Sequence, residues 1–74
     1  MNKQEIAHTL EKEIALIDKT LYRLQHVSTQ TIDDFQAIDL NIAMNGLIVH
    51  KQNLQKIIAN IVEDAKHFNP NFNR

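Results

Sequence analysis

The sequence predicts an all-α fold, an antiparallel helical hairpin that pairs with a second copy into a dimeric four-helix bundle. Apolar residues recur at alternating spacings of three and four along most of the chain, which is the heptad pattern of packed helices. The 74 residues include one glycine and one proline, too few for the many turns of an all-β fold. A chain this short without cysteine has a small core and no disulfide, and such helical chains commonly gain stability by oligomerising.

The first predicted helix spans about residues 3 to 27, and a polar break at residues 28 to 31 follows it. Its apolar residues occupy heptad positions a and d, so one narrow face is suited to pack against another helix. The residues of this seam are Ala7, Leu10, Ile14, Ile17, Leu21 and Leu24.

The second predicted helix spans about residues 32 to 68. Thr31 is a suitable N-cap, and Asp34 stands three residues later, in the place of a capping-box acid. Asn69-Pro70 is a helix stop. We therefore expect one helical domain over residues 1 to 74, with a frayed tail at residues 69 to 74.

The dipeptide Asn45-Gly46 leaves an alternative open. A glycine inside a helix costs only about 1 kcal/mol relative to alanine, so Gly46 does not force a break. If Gly46 instead ends a helix in the left-handed conformation, the chain forms a monomeric three-helix bundle. No Ser, Thr or Asp directly follows Gly46 to begin a third helix, which favours the single long helix.

The second predicted helix carries two apolar stripes, and a helix with two stripes needs two packing partners. The first stripe contains Phe35, Ile38, Ile42 and Val49. A hairpin that places Leu24 beside Phe35 covers this stripe with the first helix, which then ends beside residues 52 to 55. The second stripe and the overhang beyond residue 55 are left for another chain to cover. The second stripe contains Leu40, Met44, Leu47, Leu54, Ile58, Ile61, Ala65 and Phe68.

We therefore predict that a second copy covers the second stripe. Lys51 falls in register with this stripe. A lone lysine at an a position can set register and oligomer state at a cost in stability. We favour the interpretation that its stem lies on apolar surface while its ammonium group reaches water. The predicted interface residues are Leu40, Met44, Leu47, Lys51, Leu54, Ile58, Ile61 and Phe68.

No pattern in the sequence points to catalysis or to a metal site. Glu5 and His8 have the Glu-x-x-His spacing of di-metal bundles, but such ligands must project into the bundle core. Both residues lie at outward heptad positions, and Asp64 and His67, which repeat the spacing loosely, also lie off the seam. We find no nucleophile with an adjacent base and orienting group. We expect no enzyme, no cofactor and no metal.

The net charge of −1 argues against nucleic acid as a partner, because nucleic-acid binding generally requires a basic surface. The alternative function is nevertheless a nucleic-acid-binding regulator. A helix-turn-helix around Gly46 would use the polar side chains of residues 51 to 55. An RNA-binding bundle dimer would use Lys12, Lys19 and Arg23 on the outer side of the first helix.

The favoured function is protein–protein association by a small non-enzymatic helical protein, as a homodimer first or with another protein as partner. Leu16 and Tyr22 lie off the seam of the first helix and form a candidate docking patch, because tyrosine is enriched at binding hot spots. The apolar runs are far shorter than the roughly 20 residues that span a bilayer. The first residues lack the apolar segment of a secretory signal, so we expect a cytoplasmic protein without membrane contact.

Overall fold

Two helices and one short loop make up the computed structural model, which describes residues 1–67 and the side chains of residues 1–64. Helix α1 spans Lys3–Ser28 and helix α2 spans Asp34–His67. They run antiparallel as a hairpin, a rod with extents of 62 × 17 × 17 Å. The predicted all-α antiparallel hairpin is confirmed. Phe68 and the predicted tail lie outside the described residues.

Helix α1 begins at a reciprocal capping box. The side chain of Asn2 accepts a hydrogen bond from the Glu5 backbone at 2.8 Å, and Glu5 Oε1 accepts one from the Asn2 backbone at 3.0 Å. Two backbone N–H groups at the helix start, which have no partner inside the helix, are thereby satisfied. The helix ends at Ser28, one residue beyond the predicted boundary.

Helix α2 begins two residues later than predicted, because its N-cap is Asp33 rather than Thr31. Asp33 Oδ1 accepts from the Gln36 backbone at 2.7 Å, and Gln36 Oε1 accepts from the Asp33 backbone at 3.0 Å. Aspartate is at least as good an N-cap as threonine, and glutamine three residues later completes the box. Asp34 is therefore the first helical residue and not the reciprocating acid.

Helix α2 continues through Asn45-Gly46 without a break. Gly46 has no positive φ, so it does not adopt the left-handed conformation that ends helices. The alternative three-helix bundle is therefore wrong for this chain. The apolar residues on both sides of Gly46 stabilise the helix through packing, which outweighs the low helix propensity of one glycine.

Two ion pairs between the helices define their register. Lys3 Nζ lies 2.9 Å from Asp64 Oδ2, and Lys51 Nζ lies 2.6 Å from Asp18 Oδ1. Helix α1 thus reaches beside residue 64. The prediction of an overhang beyond residues 52 to 55 is therefore wrong. The first residues of α2 lie beside the loop and not beside the last turn of α1, so α1 is long enough to cover α2 as far as residue 64.

The second stripe of α2, not the first, faces α1. Its residues from Leu40 to Ile61 are half-buried, whereas Phe35 and Ile42 of the first stripe are 81% and 65% exposed. The prediction that α1 covers the first stripe is therefore wrong. The second stripe matches the α1 seam along its whole length and buries more apolar area than a stripe confined to residues 35 to 49.

The core between the helices is thin. Ile17, at 8% exposure, is the only buried residue among those whose side chains the structure describes. The other seam residues of α1 remain half-buried, because two helices alone cannot enclose the sides of their common seam. A hairpin of this kind has little hydrophobic stabilisation of its own.

Candidate interaction surfaces

A row of exposed apolar side chains lies on the side of α2 that faces away from α1. We call it the outer strip, and it consists of Phe35, Ile38, Ile42 and Val49. The spacings of three, four and seven residues place these side chains on one helix face. All four are more than half exposed. Single exposed apolar residues are ordinary on a protein surface, but a row of four forms a patch of the kind that marks binding surfaces.

Gly46 lies inside the outer strip, between Ile42 and Val49. A Cβ atom built on Gly46 would meet nothing within 4 Å. The chain's own packing therefore leaves open space at this point of the helix surface. The strip has a shallow notch here, bordered by two branched apolar side chains.

The charges near the two ends of the outer strip differ in sign. Asp33, Asp34 and Asp39 occur within residues 31 to 39, where there is no basic residue. Residues 40 to 62 contain Lys51 and Lys56 and no acidic residue. Lys51 is paired with Asp18 in the seam with α1, so Lys56 is the lysine that remains for the outer strip. The outer strip thus has an acidic end near Phe35 and a basic end beyond Val49.

The predicted interface residues lie in the seam with α1. All of those within the described side chains are half-buried, and Phe68 lies outside the described residues. Helix α1 of the same chain thus covers the stripe that we assigned to a second copy. Contact of these residues with a second copy stays a prediction. The residues are Leu40, Met44, Leu47, Lys51, Leu54, Ile58 and Ile61.

Lys51 is the charged member of this seam. Its side chain is 28% exposed, and its ammonium group donates to Asp18, whose side chain is 52% exposed. The ion pair lies at the solvent edge of the seam, so the stem of Lys51 packs with apolar neighbours while its charge stays partly hydrated. An ion pair this exposed contributes little to stability.

A shallow groove of about 400 Å³ runs beside this ion pair, between the two helices. Its apolar floor contains Ile14 and Ile58, and Asp18 at its edge is already paired with Lys51. Glu11 and Gln55 are the other polar groups on its rim. The groove has no convergent set of polar groups of the kind that orients a small ligand.

Leu16 and Tyr22, the candidate docking patch, are 56% and 63% exposed. Six residues rotate an α-helix by about 600°, which leaves the two side chains about 120° apart around the axis. The structure does not bring them together on one face. Tyr22 instead contacts His26 edge to face, with ring centroids 4.9 Å apart.

The basic candidate nucleic-acid residues of α1 are exposed and, at spacings of seven and four residues, share one face of the helix. Lys12, Lys19 and Arg23 lie on the outer side of α1. The helix-turn-helix interpretation is wrong, because it requires a turn at Gly46 and α2 is continuous there. Lys51, which would begin the recognition segment, is held in the seam by Asp18.

The pair Glu5 and His8 does not form a ligand cluster. Both residues are exposed, and one carboxylate oxygen of Glu5 is used in the capping box of α1. No three His, Asp or Glu side chains gather into a potential metal site within the described residues.

Comparisons with models of known protein families, with curated proteins and with solved structures find no match for this chain. Over residues 1–67, neither helix combines the length and apolar character that a membrane crossing requires. Function must therefore be inferred from the surfaces of the hairpin.

The outer strip is the surface that our sequence interpretation missed, since it assigned these residues to the interior. The signal that could have found it is the length of the second stripe, which is closer to the length of α1 than the first stripe is.

Proposed function

We propose that this chain is a non-enzymatic helical module that acts by protein–protein association, and that the outer strip of α2 is its binding surface. The exposure of the outer strip carries this proposal. Phe35 is 81% exposed and Ile42 is 65% exposed, although aromatic and branched apolar side chains gain most from burial.

The mode of association is helix-to-helix packing. An amphipathic helix recognises another helix or groove through apolar anchors at spacings of three, four and seven residues. The outer strip has these spacings on a helix that is already continuous in the chain, so binding requires little ordering of the backbone. Phe35 supplies the aromatic anchor that is typical of binding hot spots.

Site-specific photo-crosslinking tests the proposal. A photoreactive phenylalanine derivative replaces Ile38 on the outer strip, or Lys19 on the outer side of α1 as the matched control. In cells that express the chain, we expect protein adducts from position 38 and few from position 19. Absence of adducts at position 38, or equal yields at both positions, would contradict the proposal.

A further inference from the structure

We propose that the occupant of the outer strip is a second copy of this chain, packed antiparallel, with Ile42 of each copy over Gly46 of the other. This inference rests on the proposed function, because it names the partner of the same strip. Three properties carry it: the open space at Gly46, the opposite charges near the two ends of the outer strip, and the accessible surface of the chain.

Gly46 has no function in the packing or conformation of the isolated hairpin. Its Cβ position is empty to 4 Å and its φ is not positive, so alanine would fit and would favour the helix. Glycine does permit close approach of another backbone. A second helix that crosses here can place an Ile42 side chain in the notch, and two-fold symmetry makes the contact twice.

The charge separation selects the antiparallel arrangement. Parallel packing would align the acidic end of the strip with the acidic end of its copy, and like charges repel. In the antiparallel arrangement with Ile42 over Gly46, Lys56 of one copy lies within about one helical turn of Asp34 of the other. The macrodipoles of the two α2 helices are then also opposed, which is favourable.

The accessible surface of the chain is large enough to accommodate such a dimer. It measures 6031 Å², whereas the scaling for compact monomers gives about 4700 Å² at 8.6 kDa. The difference, about 1300 Å² over the whole chain, reflects the elongated shape of the hairpin. It exceeds the roughly 800 Å² that each partner buries in a stable interface of ordinary size.

The first test is the mass of the purified chain in solution, measured by light scattering from micromolar to millimolar concentration. We expect a monomer–dimer equilibrium. Ile42→Glu should raise the dimer Kd by at least about thirtyfold, as expected for a hot-spot residue. Val27→Glu, at an exposed apolar position on α1 outside the candidate surfaces, should change Kd by less than about twofold. Circular dichroism shows whether each variant retains its helices.

Gly46→Ala gives a second test, because this substitution should stabilise the monomer and weaken the dimer. Alanine should raise the thermal midpoint of the dilute monomer by a few degrees, because it is the better helix former. It should weaken the dimer by about tenfold or more, because the added methyl occupies the notch. A dimer that is unchanged or strengthened by Gly46→Ala would overturn the proposed crossing.

Charge reversal tests the direction of packing. Asp34→Lys and Lys56→Glu should each weaken the dimer, and the double variant should recover most of the affinity. Absence of recovery would overturn the antiparallel pairing.

A chain that stays monomeric yet gives adducts with a different protein at position 38 would overturn self-association and leave the proposed function supported. Monomeric behaviour without adducts would overturn both.

Discussion

At the scale of single residues, the ends of the helices depend on side-chain to backbone hydrogen bonds that can be tested individually. The Asp33–Gln36 box begins α2. We expect Asp33→Ala to lower the free energy of unfolding by about 1 kcal/mol, since an N-H group at the helix start loses its acceptor. Thr31→Ala should change it by less than about 0.5 kcal/mol. Urea denaturation measures both, and a larger loss for Thr31→Ala would restore Thr31 as the cap.

Lys51 is the second residue whose contribution can be measured. A lone lysine at an a position fixes register at a cost in stability, and its pairing with Asp18 is too exposed to compensate for that cost. We expect Lys51→Leu to raise the free energy of unfolding by about 1 kcal/mol through apolar burial. Lys12→Leu, on the exposed side of α1, is the control and should give no gain. A clear loss of stability in Lys51→Leu would show that the ion pair stabilises the hairpin.

At the scale of helices, periodicity predicts which residues share a face but not which face meets the other helix. The heptad seam of α1 and both stripes of α2 follow directly from the spacing of apolar residues. Counting outward from the loop placed Leu24 beside Phe35, whereas the structure shifts α2 so that its longer stripe matches the α1 seam. The opposite charges of Lys3 and Asp64, and of Lys51 and Asp18, are a sequence signal for that register. The Gln36 side chain was the missed signal for the N-cap.

The assignment of the stripes gives a direct prediction. We expect Leu47→Ala in the seam to destabilise the hairpin by about 2 kcal/mol, toward the lower limit for buried leucines because the residue is only half-buried. Ile42→Ala on the outer strip should cost less than about 0.5 kcal/mol. The measurement is thermal or urea unfolding at a concentration where the chain is monomeric. A greater loss for Ile42→Ala would reverse the assignment of the two stripes.

At the scale of the whole molecule, the chain is a rod with a Cα radius of gyration of 17.8 Å, whereas a compact domain of its length has about 11 Å. One buried residue, Ile17, among the described side chains gives such a rod little stability of its own. Association through the outer strip would add apolar burial on the side of α2 that α1 leaves open. Folding and association are then coupled by mass action, so that stability increases with concentration.

The proposed packing also fixes the length of the dimer. A two-fold axis midway between Ile42 and Gly46 lies about six or seven residues before the middle of α2, which is roughly 10 Å along the helix. Two copies are then displaced by about 20 Å, and the dimer should be about 80 Å long, against 62 Å for the single chain. Small-angle X-ray scattering measures this maximum dimension. A dimer close to 62 Å would indicate two hairpins side by side in register, as in a conventional four-helix bundle, and would overturn the crossing of Ile42 over Gly46.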